Sequence, residues 1–352
     1  MAQHPPKSGR ATSYNGELGS FAPIFRNPHI LTVAGNYWRR AIDETRFPTR
    51  SVLYATEEGT RVLVEENRPV GRVRGEVLLM HGLEGSSRSG YMISVAQRLA
   101  GLGFAAHRMN MRSCGGSEHL TPTLYHSGLT ADMLAVLRRF QAQGRGPLFI
   151  TGYSLGGNVV LKLAGELGEQ ARGLIAGVCA VSTPIDLRAC VEAIGKPVNR
   201  LYERRFVKKL CERYRRKQAL DSARFPLEGL ELVRTIYEFD DRCTAQAFGF
   251  GDAANYYRTQ SAIRFLPAIQ VPALLVQAQD DPMIPFGIFE GPEVRSNPHL
   301  RLLAPEHGGH LGFLSRKRPR FWADEVVGEW ILNRMEEAEG EQSGPVSRLE
   351  NR

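Results

Sequence analysis

A single serine stands between glycines in the stretch ITGYSLGGN at residues 150–158, directly after an apolar run. Ser154 is the centre of a G-x-S-x-G pattern, and the apolar helical pattern NVVLKLAGE follows it. In a nucleophile elbow this pattern forms a sharp strand-to-helix turn that exposes the serine hydroxyl at the edge of a sheet. An ordinary strand-to-helix turn can have the same local sequence, so other residues must decide between the two interpretations.

A serine hydroxyl becomes a good nucleophile only when a base takes its proton, and in elbow proteins an acid and then the base follow the serine along the chain. His310, in the glycine-rich segment PEHGGHLGF, is the candidate base, and His307 is the rival. The acid should end the preceding strand, where LLVQAQDDPMIP carries two carboxylates. We select Asp281, with Asp280 as the alternative. Both could instead be turn residues before Pro282.

Stabilising an oxyanion takes two backbone N–H donors. The amide of Leu155, directly after the serine, is one candidate. The loop LLMHGLEGSS follows an early predicted strand and offers the amide of Leu83 as the other. His81 in this loop is interpreted as an orienting, structural residue. A phosphate-binding loop is the alternative, but the segment has neither G-x-G-x-x-G nor GK[ST].

Predicted strands and predicted helices alternate along the chain, and they must position these residues. Apolar, β-branched runs such as GEVLLM, FAAHRM and PLFIT are typical of strands, and ISVAQRLAGLG and LTADMLAVLRRFQAQ of helices, the latter with Thr130 as a candidate N-cap. Such alternation predicts an α/β fold with a mostly parallel central sheet flanked by helices. The rhythm is lost after TPIDL and returns at VPALLVQAQDD, which predicts a helical insertion.

These patterns divide the chain into five parts. In order, they are a disordered N-terminus (1–20), an arm lying on the core (21–48), an α/β core (49–186 and 263–336), a helical lid insertion (187–262) and a disordered tail (337–352).

The charge of the chain is unevenly distributed. The net charge is +8, and the segment between Lys196 and Lys217 carries ten basic residues against two acids. A solvated helix face is the common reason for such a run. The sharper interpretation is a surface for anionic lipid head groups or acidic substrates, with Arg204, Arg205, Lys208 and Lys209 as its residues. Nucleic acid is not an expected partner, because no helix-turn-helix, zinc-finger or RNA-binding signature accompanies the run.

The composition also predicts a cellular location. No apolar stretch of about 18 residues occurs, and the polar segment MAQHPPKSGRATSYNG lacks the apolar centre of a secretory signal. We expect neither a spanning helix nor a signal peptide. Five scattered cysteines suit reduced thiols in a cytoplasm better than a disulfide framework or a zinc site. They are Cys114, Cys179, Cys190, Cys211 and Cys243.

Together, the segments FRNPHILT, HGLEGSSRSGYM, MNMRSCGGSE, YHSGLTADM, GYSLGGNVVLK, STPIDL, QAQDDPMIP and HGGHLGF resemble the YheT-like α/β-hydrolases, over about residues 21–335. This resemblance implies an α/β-hydrolase fold and carboxylic-ester hydrolysis by a Ser-Asp-His triad, at Ser154, Asp281 and His310. The eukaryotic relatives carry an N-terminal membrane anchor, and from the sequence we do not expect membrane residence to carry over to this protein.

We therefore expect a serine esterase or lipase for short- to medium-chain or lipid esters, working without metal or cofactor through an acyl-enzyme. An acyltransferase on the same triad, or a binding protein on a hydrolase fold, are the alternatives. Tyr125 and His126 are interpreted as loop-stabilising residues, and Cys114 as a small buried thiol. Aromatic residues of the insertion could line an acyl site, although more of them should pack the insertion itself. These are Tyr202, Phe206, Tyr237, Phe239, Phe248, Phe250, Tyr256 and Tyr257.

Overall fold

The computed structural model describes residues 20–342. The predicted disorder of residues 1–19 and 343–352 lies outside the described residues. Within them, eight strands form one sheet. The strands are β1 (Thr49–Glu57), β2 (Thr60–Asn67), β3 (Gly75–Met80), β4 (Phe104–Met109), β5 (Leu148–Tyr153), β6 (Gly177–Val181), β7 (Ala273–Val276) and β8 (Leu300–Leu303).

Short apolar runs form the strands, and longer amphipathic patterns form the helices between them. The α-helices of the described chain are α1 (Pro28–Tyr37), α2 (Gly90–Gly101), α3 (Ala131–Ala142), α4 (Leu155–Leu167), α5 (Leu187–Ile194), α6 (Arg200–Leu220), α7 (Ile236–Phe239), α8 (Ala245–Ala247), α9 (Ala253–Gln260), α10 (Pro292–Arg295) and α11 (Trp322–Gln342). A π-helical turn, Asp240–Thr244, joins α7 to α8.

The sheet has the order β1-β2-β4-β3-β5-β6-β7-β8. The pairs β1–β2 and β2–β4 are antiparallel, and every other neighbouring pair is parallel. The carboxyl ends of β3, β5, β6, β7 and β8 therefore meet at one edge of the sheet, where ligands bind in open α/β folds. The segments after β3, β5, β7 and β8 are those that carry the predicted site residues.

Both faces of the sheet are covered, as the fold class predicts. Side chains alternate across a strand, so Phe149 and Ile150 of β5 belong to different apolar clusters. Val136 of α3 and Val160 of α4 pack in the Ile150 cluster. The Phe149 cluster contains α2 and α11, including Trp330. The sheet is thus buried between two helical layers, and β3 and β5 are buried along their whole length.

The N-terminal arm contains a helix that the sequence analysis does not predict. The pair Asn27-Pro28 suggests an irregular segment, but Asn27 is the N-cap of α1, where its side chain accepts bonds from the amides of His29 and Ile30, and Pro28 starts the helix. Proline is favoured at this position because its missing N–H would be unpaired there anyway. The arm does contact the core, since the Ile24 amide donates to the Leu314 carbonyl at 3.0 Å.

Two local predictions need correction. Thr130 precedes α3, but its hydroxyl makes no capping bond and instead donates to Glu166 Oε2 at 2.6 Å. Helix α11 continues to Gln342, so the predicted tail boundary at residue 337 falls inside it. Its polar end remains helical beside Arg74, which approaches Glu336 and Glu339 at 3.8 and 3.7 Å. No helix of residues 20–342 has the length and apolar character needed to span a bilayer.

Candidate active site

Ser154 lies in a sharp turn between the end of β5 and the start of α4. Its backbone has φ 51° and ψ −122°, a conformation that is uncommon for a residue with a side chain. A Cβ atom on Gly152 would lie 2.1 Å from the Gly156 carbonyl oxygen, and one on Gly156 would lie 2.4 Å from the Met80 oxygen. Both glycines of the G-x-S-x-G pattern are therefore required by close backbone contacts.

Three predicted residues form one hydrogen-bonded relay. Ser154 Oγ lies 2.9 Å from His310 Nε2, and His310 Nδ1 lies 2.9 Å from Asp281 Oδ2. The Asp281 side chain is fully buried, and that of His310 is 9% exposed. A carboxylate only accepts hydrogen bonds, so Nδ1 carries the proton and Nε2 is free to accept the serine proton.

Both carboxylate oxygens of Asp281 accept hydrogen bonds from neighbouring residues. Oδ1 accepts the amides of Met283 at 2.9 Å and Ile284 at 3.1 Å. Oδ2 accepts Gln277 Nε2 at 3.2 Å as well as His310. These hydrogen bonds fix the orientation of the carboxylate.

Asp280, the alternative acid, contacts the other histidine. Its Oδ2 lies 3.1 Å from His307 Nδ1, and its Oδ1 accepts the Gly309 amide at 2.9 Å. The consecutive carboxylates thus face two different histidines. Asp280 anchors the loop that carries His310, whereas Asp281 contacts the imidazole of His310 directly.

Helix α1 supports the same loop from outside the sheet. Thr32 Oγ1 accepts the His310 amide at 2.9 Å and donates to the Pro28 carbonyl at 2.7 Å. Gly309 has φ 58°, and a Cβ there would lie 2.5 Å from the Pro28 oxygen. A Cβ on Gly35 would lie 2.6 Å from the Gly312 Cα. These residues were not among those selected from the sequence, because their partners lie almost 280 residues away.

The loop after β3 is immobilised by tyrosines. The Gly82 amide donates to Tyr91 Oη at 2.9 Å, and the Glu84 amide donates to Tyr125 Oη at 3.2 Å. Leu83 lies between these two amides. Its own amide donates to no acceptor of residues 20–339. Leu83 borders both cavities at Ser154.

A buried ion pair ties this loop to α6. Arg213 Nε donates to Glu84 Oε1 at 2.7 Å, and both side chains are at most 5% exposed. The guanidinium also lies 4.4 Å from the centroid of the Tyr125 ring, and Tyr125 Oη donates to the same carboxylate oxygen at 3.0 Å. The loop-stabilising interpretation of Tyr125 is therefore confirmed, and sequence analysis did not find its partner Arg213.

His81 is a structural residue of this loop, as predicted. Its Nδ1 donates to the Gly82 carbonyl at 2.8 Å, and its Nε2 accepts the Met111 amide at 3.1 Å. Burial lowers the pKa of His81 to about 4. A neutral imidazole with both nitrogens bonded has no role in proton transfer, and it fixes the path of the chain between β3 and Leu83.

Two cavities meet at Ser154 and His310. The outer cavity has a volume of about 740 Å³, and its walls come from α1, the loop after β3 and α6, including Thr32, Tyr37, Gly82, Tyr202, Arg205 and Lys209. The inner cavity has about 70 Å³, and its walls are mostly apolar, including Leu155, Leu187, Ile194, Leu210, Tyr256 and Met283. Ser154, His310, Leu83, Phe206 and Met283 border both cavities.

The remaining candidate residues lie around the inner cavity or away from it. The His126 ring packs against Phe248 and Phe250, with centroids 4.6 and 5.2 Å away, and burial lowers its pKa to about 3. Burial raises the pKa of the Cys114 thiol, which borders neither cavity, in agreement with a small buried thiol. Of the predicted aromatics, Tyr202, Phe206, Tyr256 and Tyr257 border a cavity.

An eight-stranded, mostly parallel sheet with a serine at the turn after β5 defines the class of α/β-hydrolases. The family model described as "alpha/beta hydrolase fold" matches residues 76–317. YheT of Escherichia coli (strain K12) is 32% identical, over 90% of this chain and 94% of that protein. The chain therefore belongs to the α/β-hydrolase family, and within it to the YheT-like proteins.

More distant relatives have names that describe lipid esters. Phospholipase ABHD3 of Mus musculus is 28% identical over 70% of this chain and 60% of its own length. Monoacylglycerol lipase of Saccharomyces cerevisiae is 26% identical over 82% of this chain and 67% of its own length. Among solved structures, the Pyrococcus furiosus esterase Pf2001 aligns with a TM-score of 0.55 over 84% of this chain and 99% of that one, at 16% identity, which shows the fold alone.

Proposed function

We propose that this protein is a serine hydrolase that cleaves carboxylic esters through an acyl-enzyme. The observation that carries the proposal is the continuous relay from Ser154 Oγ through His310 to Asp281, with 2.9 Å at each step. The relay opens onto cavities that could hold the two halves of an ester. The lipase and phospholipase names of relatives support the same reaction class.

In the proposed acylation step, His310 Nε2 takes the proton of Ser154 as Oγ attacks the ester carbonyl. The carbonyl oxygen becomes an oxyanion, which the amides of Leu83 and Leu155 stabilise. The positive end of α4 favours the same negative charge. Collapse of the tetrahedral intermediate breaks the carbon–oxygen bond, and His310 gives its proton to the leaving alcohol.

Deacylation repeats the sequence with water. His310 takes a proton from the water, whose oxygen attacks the acyl carbon, and it then returns that proton to Ser154. Asp281 remains ionised throughout and stabilises the imidazolium that forms twice in each cycle. An alcohol in place of water would give acyl transfer, so the ratio of acid to transesterified product distinguishes these two outcomes.

The insertion (187–262) is proposed to be the lid of this site. Its helix α6 supplies Tyr202 and Phe206 to the outer cavity, across from α1. Asn199 Nδ2, just before α6, donates to the Pro282 carbonyl at 2.6 Å. This bond connects the insertion to the segment that contains Asp281.

The inner cavity is proposed to hold the acyl chain. Its volume of about 70 Å³ is less than half of the roughly 150 Å³ of an apolar cavity that accommodates benzene. We therefore expect p-nitrophenyl esters with acyl chains of about two to four carbons to have the highest kcat/KM. The location is proposed to be the cytoplasm, which the five unpaired, buried cysteines support.

A fluorophosphonate probe tests the proposal. The wild-type protein should be labelled stoichiometrically, and peptide mapping should place the label on Ser154. The Ser154→Ala variant should be neither labelled nor active, whereas Ser296→Ala, which changes an exposed serine, should retain both properties. A folded wild-type protein without label would instead indicate a binding protein on a hydrolase fold.

A further inference from the structure

The outer cavity carries four cationic side chains, and two of them are neutralised. Arg88 Nε lies 3.0 Å from Glu65 Oε1, and Arg216 Nε lies 2.6 Å from Glu118 Oε1. These two cations therefore already have carboxylate partners. The other two, Arg205 and Lys209, occupy positions i and i+4 of α6 and face the cavity together.

Arg205 and Lys209 are bonded to neutral groups. Arg205 Nη1 donates to Tyr37 Oη at 3.1 Å, and its guanidinium lies 5.7 Å from the centroid of that ring. Lys209 Nζ lies 3.4 Å from the Glu84 carbonyl oxygen. Among residues 20–339, no carboxylate lies within the 4.0 Å limit of an ion pair with either side chain.

Arg205 and Lys209 lie where the alcohol portion of the proposed ester substrate would bind. Lys209 contacts the residue directly after Leu83, so it stands beside the proposed oxyanion hole. Arg205 bridges α6 to α1 across the outer cavity. The inner cavity is apolar and suits the acyl chain, which leaves the alcohol portion of the ester in the outer cavity, under these two cations.

We infer that Arg205 and Lys209 bind an anionic group, a phosphate or a carboxylate, on the alcohol portion of the ester. This inference rests on the proposed function. A guanidinium and an ammonium at the wall of a partly enclosed cavity attract an anion more strongly than they would in open solvent. The two bonds they now make to neutral oxygens are weaker than the charge-assisted bonds an anion would offer.

The neighbouring residues of α6 provide a matched control. Arg204 and Lys208 carry the same two charges with the same spacing, and like Arg205 they are exposed, but they border neither cavity. Lys208 lies 3.9 Å from Glu212. The double variants Arg205→Gln/Lys209→Gln and Arg204→Gln/Lys208→Gln therefore each remove two positive charges. The first pair removes them from the wall of the outer cavity, and the second removes them from outside it.

The substrates are two soluble esters with the same acyl chain, the butyryl monoesters of glycerol 3-phosphate and of glycerol. The wild-type protein should prefer the phosphate ester. Arg205→Gln/Lys209→Gln should lower kcat/KM for this ester about 10- to 100-fold more than for the neutral ester, the effect of losing charge-assisted bonds. The control pair should change neither ester by more than about twofold, since its side chains border neither cavity.

A second arm distinguishes a lipid head group from a soluble ester. Hydrolysis of dibutyryl phosphatidylglycerol and of dibutyryl phosphatidylcholine, phospholipids with the same short acyl chain, is measured for the wild-type protein and the same variants. If only the phospholipids show an anionic preference that depends on Arg205 and Lys209, the anion belongs to a lipid head group. If neither arm shows such a dependence, or both double variants lose activity equally, the inference is wrong.

Fluorophosphonate labelling separates this outcome from failure of the proposed function. All proteins in the comparison should still be labelled at Ser154, because the probe has no anionic group for Arg205 and Lys209 to bind. Normal labelling without charge discrimination would overturn only the anion site. Absence of labelling in the wild-type protein would overturn the hydrolase proposal itself.

Discussion

The backbone amide of His310 donates a hydrogen bond of 2.9 Å to the hydroxyl of Thr32, a residue of α1 that lies 278 positions earlier in the chain. The same hydroxyl donates to the Pro28 carbonyl, one helical turn earlier, at 2.7 Å, so it both accepts and donates a hydrogen bond. The N-terminal arm therefore positions the loop that carries the proposed general base.

Replacing Thr32 by valine should loosen that loop. Valine keeps the shape of threonine but leaves the His310 amide without its acceptor. We expect kcat to fall about tenfold with little change in KM, and the free energy of unfolding to fall by about 1–2 kcal/mol. Ester hydrolysis and urea unfolding measure the two effects.

Thr32→Ser is the matched control, because it restores the hydroxyl. It should recover most of kcat. A loss of stability in Thr32→Val without any loss of kcat would mean that Thr32 stabilises α1 but does not position His310.

Asp280 and Asp281 should differ sharply when each is replaced by asparagine. Asp281→Asn replaces the acceptor of the His310 Nδ1 proton and favours the wrong tautomer, so we expect kcat to fall by roughly 10³- to 10⁴-fold. Asp280→Asn can still accept the Gly309 amide, so its loss should stay below about tenfold. Equal losses would contradict the assignment of Asp281 as the acid.

Local sequence patterns predict the positions of the relay residues. Ser154 is marked by its two glycines, and Asp281 and His310 follow recognisable strand patterns whose carboxyl ends share one edge of a parallel sheet. Asp281 is also the carboxylate selected from the sequence, and the coordinates place it against His310 and the alternative, Asp280, against His307, since consecutive side chains leave a turn in different directions. The sequence could not identify Thr32 or Arg213, because their roles depend on partners 278 and 129 positions away.

Gly156 should tolerate no side chain. Its Cβ would lie 2.4 Å from the Met80 carbonyl oxygen, and backbone cannot move away as a flexible side chain can. Gly156→Ala should therefore lower the free energy of unfolding by about 2 kcal/mol or more, and shift Ser154 enough to reduce activity. Thermal unfolding and esterase assays measure these changes.

Gly173→Ala is the control for this substitution. A Cβ at Gly173 would meet no atom within 4 Å, so the variant should stay within about 0.5 kcal/mol of the wild-type stability. A Gly156→Ala protein as stable and active as Gly173→Ala would show that the elbow can relax, contrary to the close contacts.

Asp240, beside the inner cavity, should make stability depend on pH. Burial raises the pKa of this carboxyl from 3.8 to about 6, although Tyr257 and Thr244 donate to it at 2.7 Å. The folded protein thus holds this proton more tightly than the unfolded chain does. The contribution of Asp240 to stability is therefore largest at low pH and falls as the pH rises from about 4 to about 6.

Asp240→Asn removes this titration. The free energy of unfolding of the variant minus that of the wild-type protein should be roughly 1–2 kcal/mol higher at about pH 7.5 than at about pH 5. Urea unfolding at both pH values measures the gain, and pH-independent costs, such as a lost bond to Tyr257, cancel in the comparison. Glu228→Gln, which changes an exposed carboxylate, should show no such gain. A pH-independent difference for Asp240→Asn would mean that Asp240 is ionised in the folded protein at about pH 5.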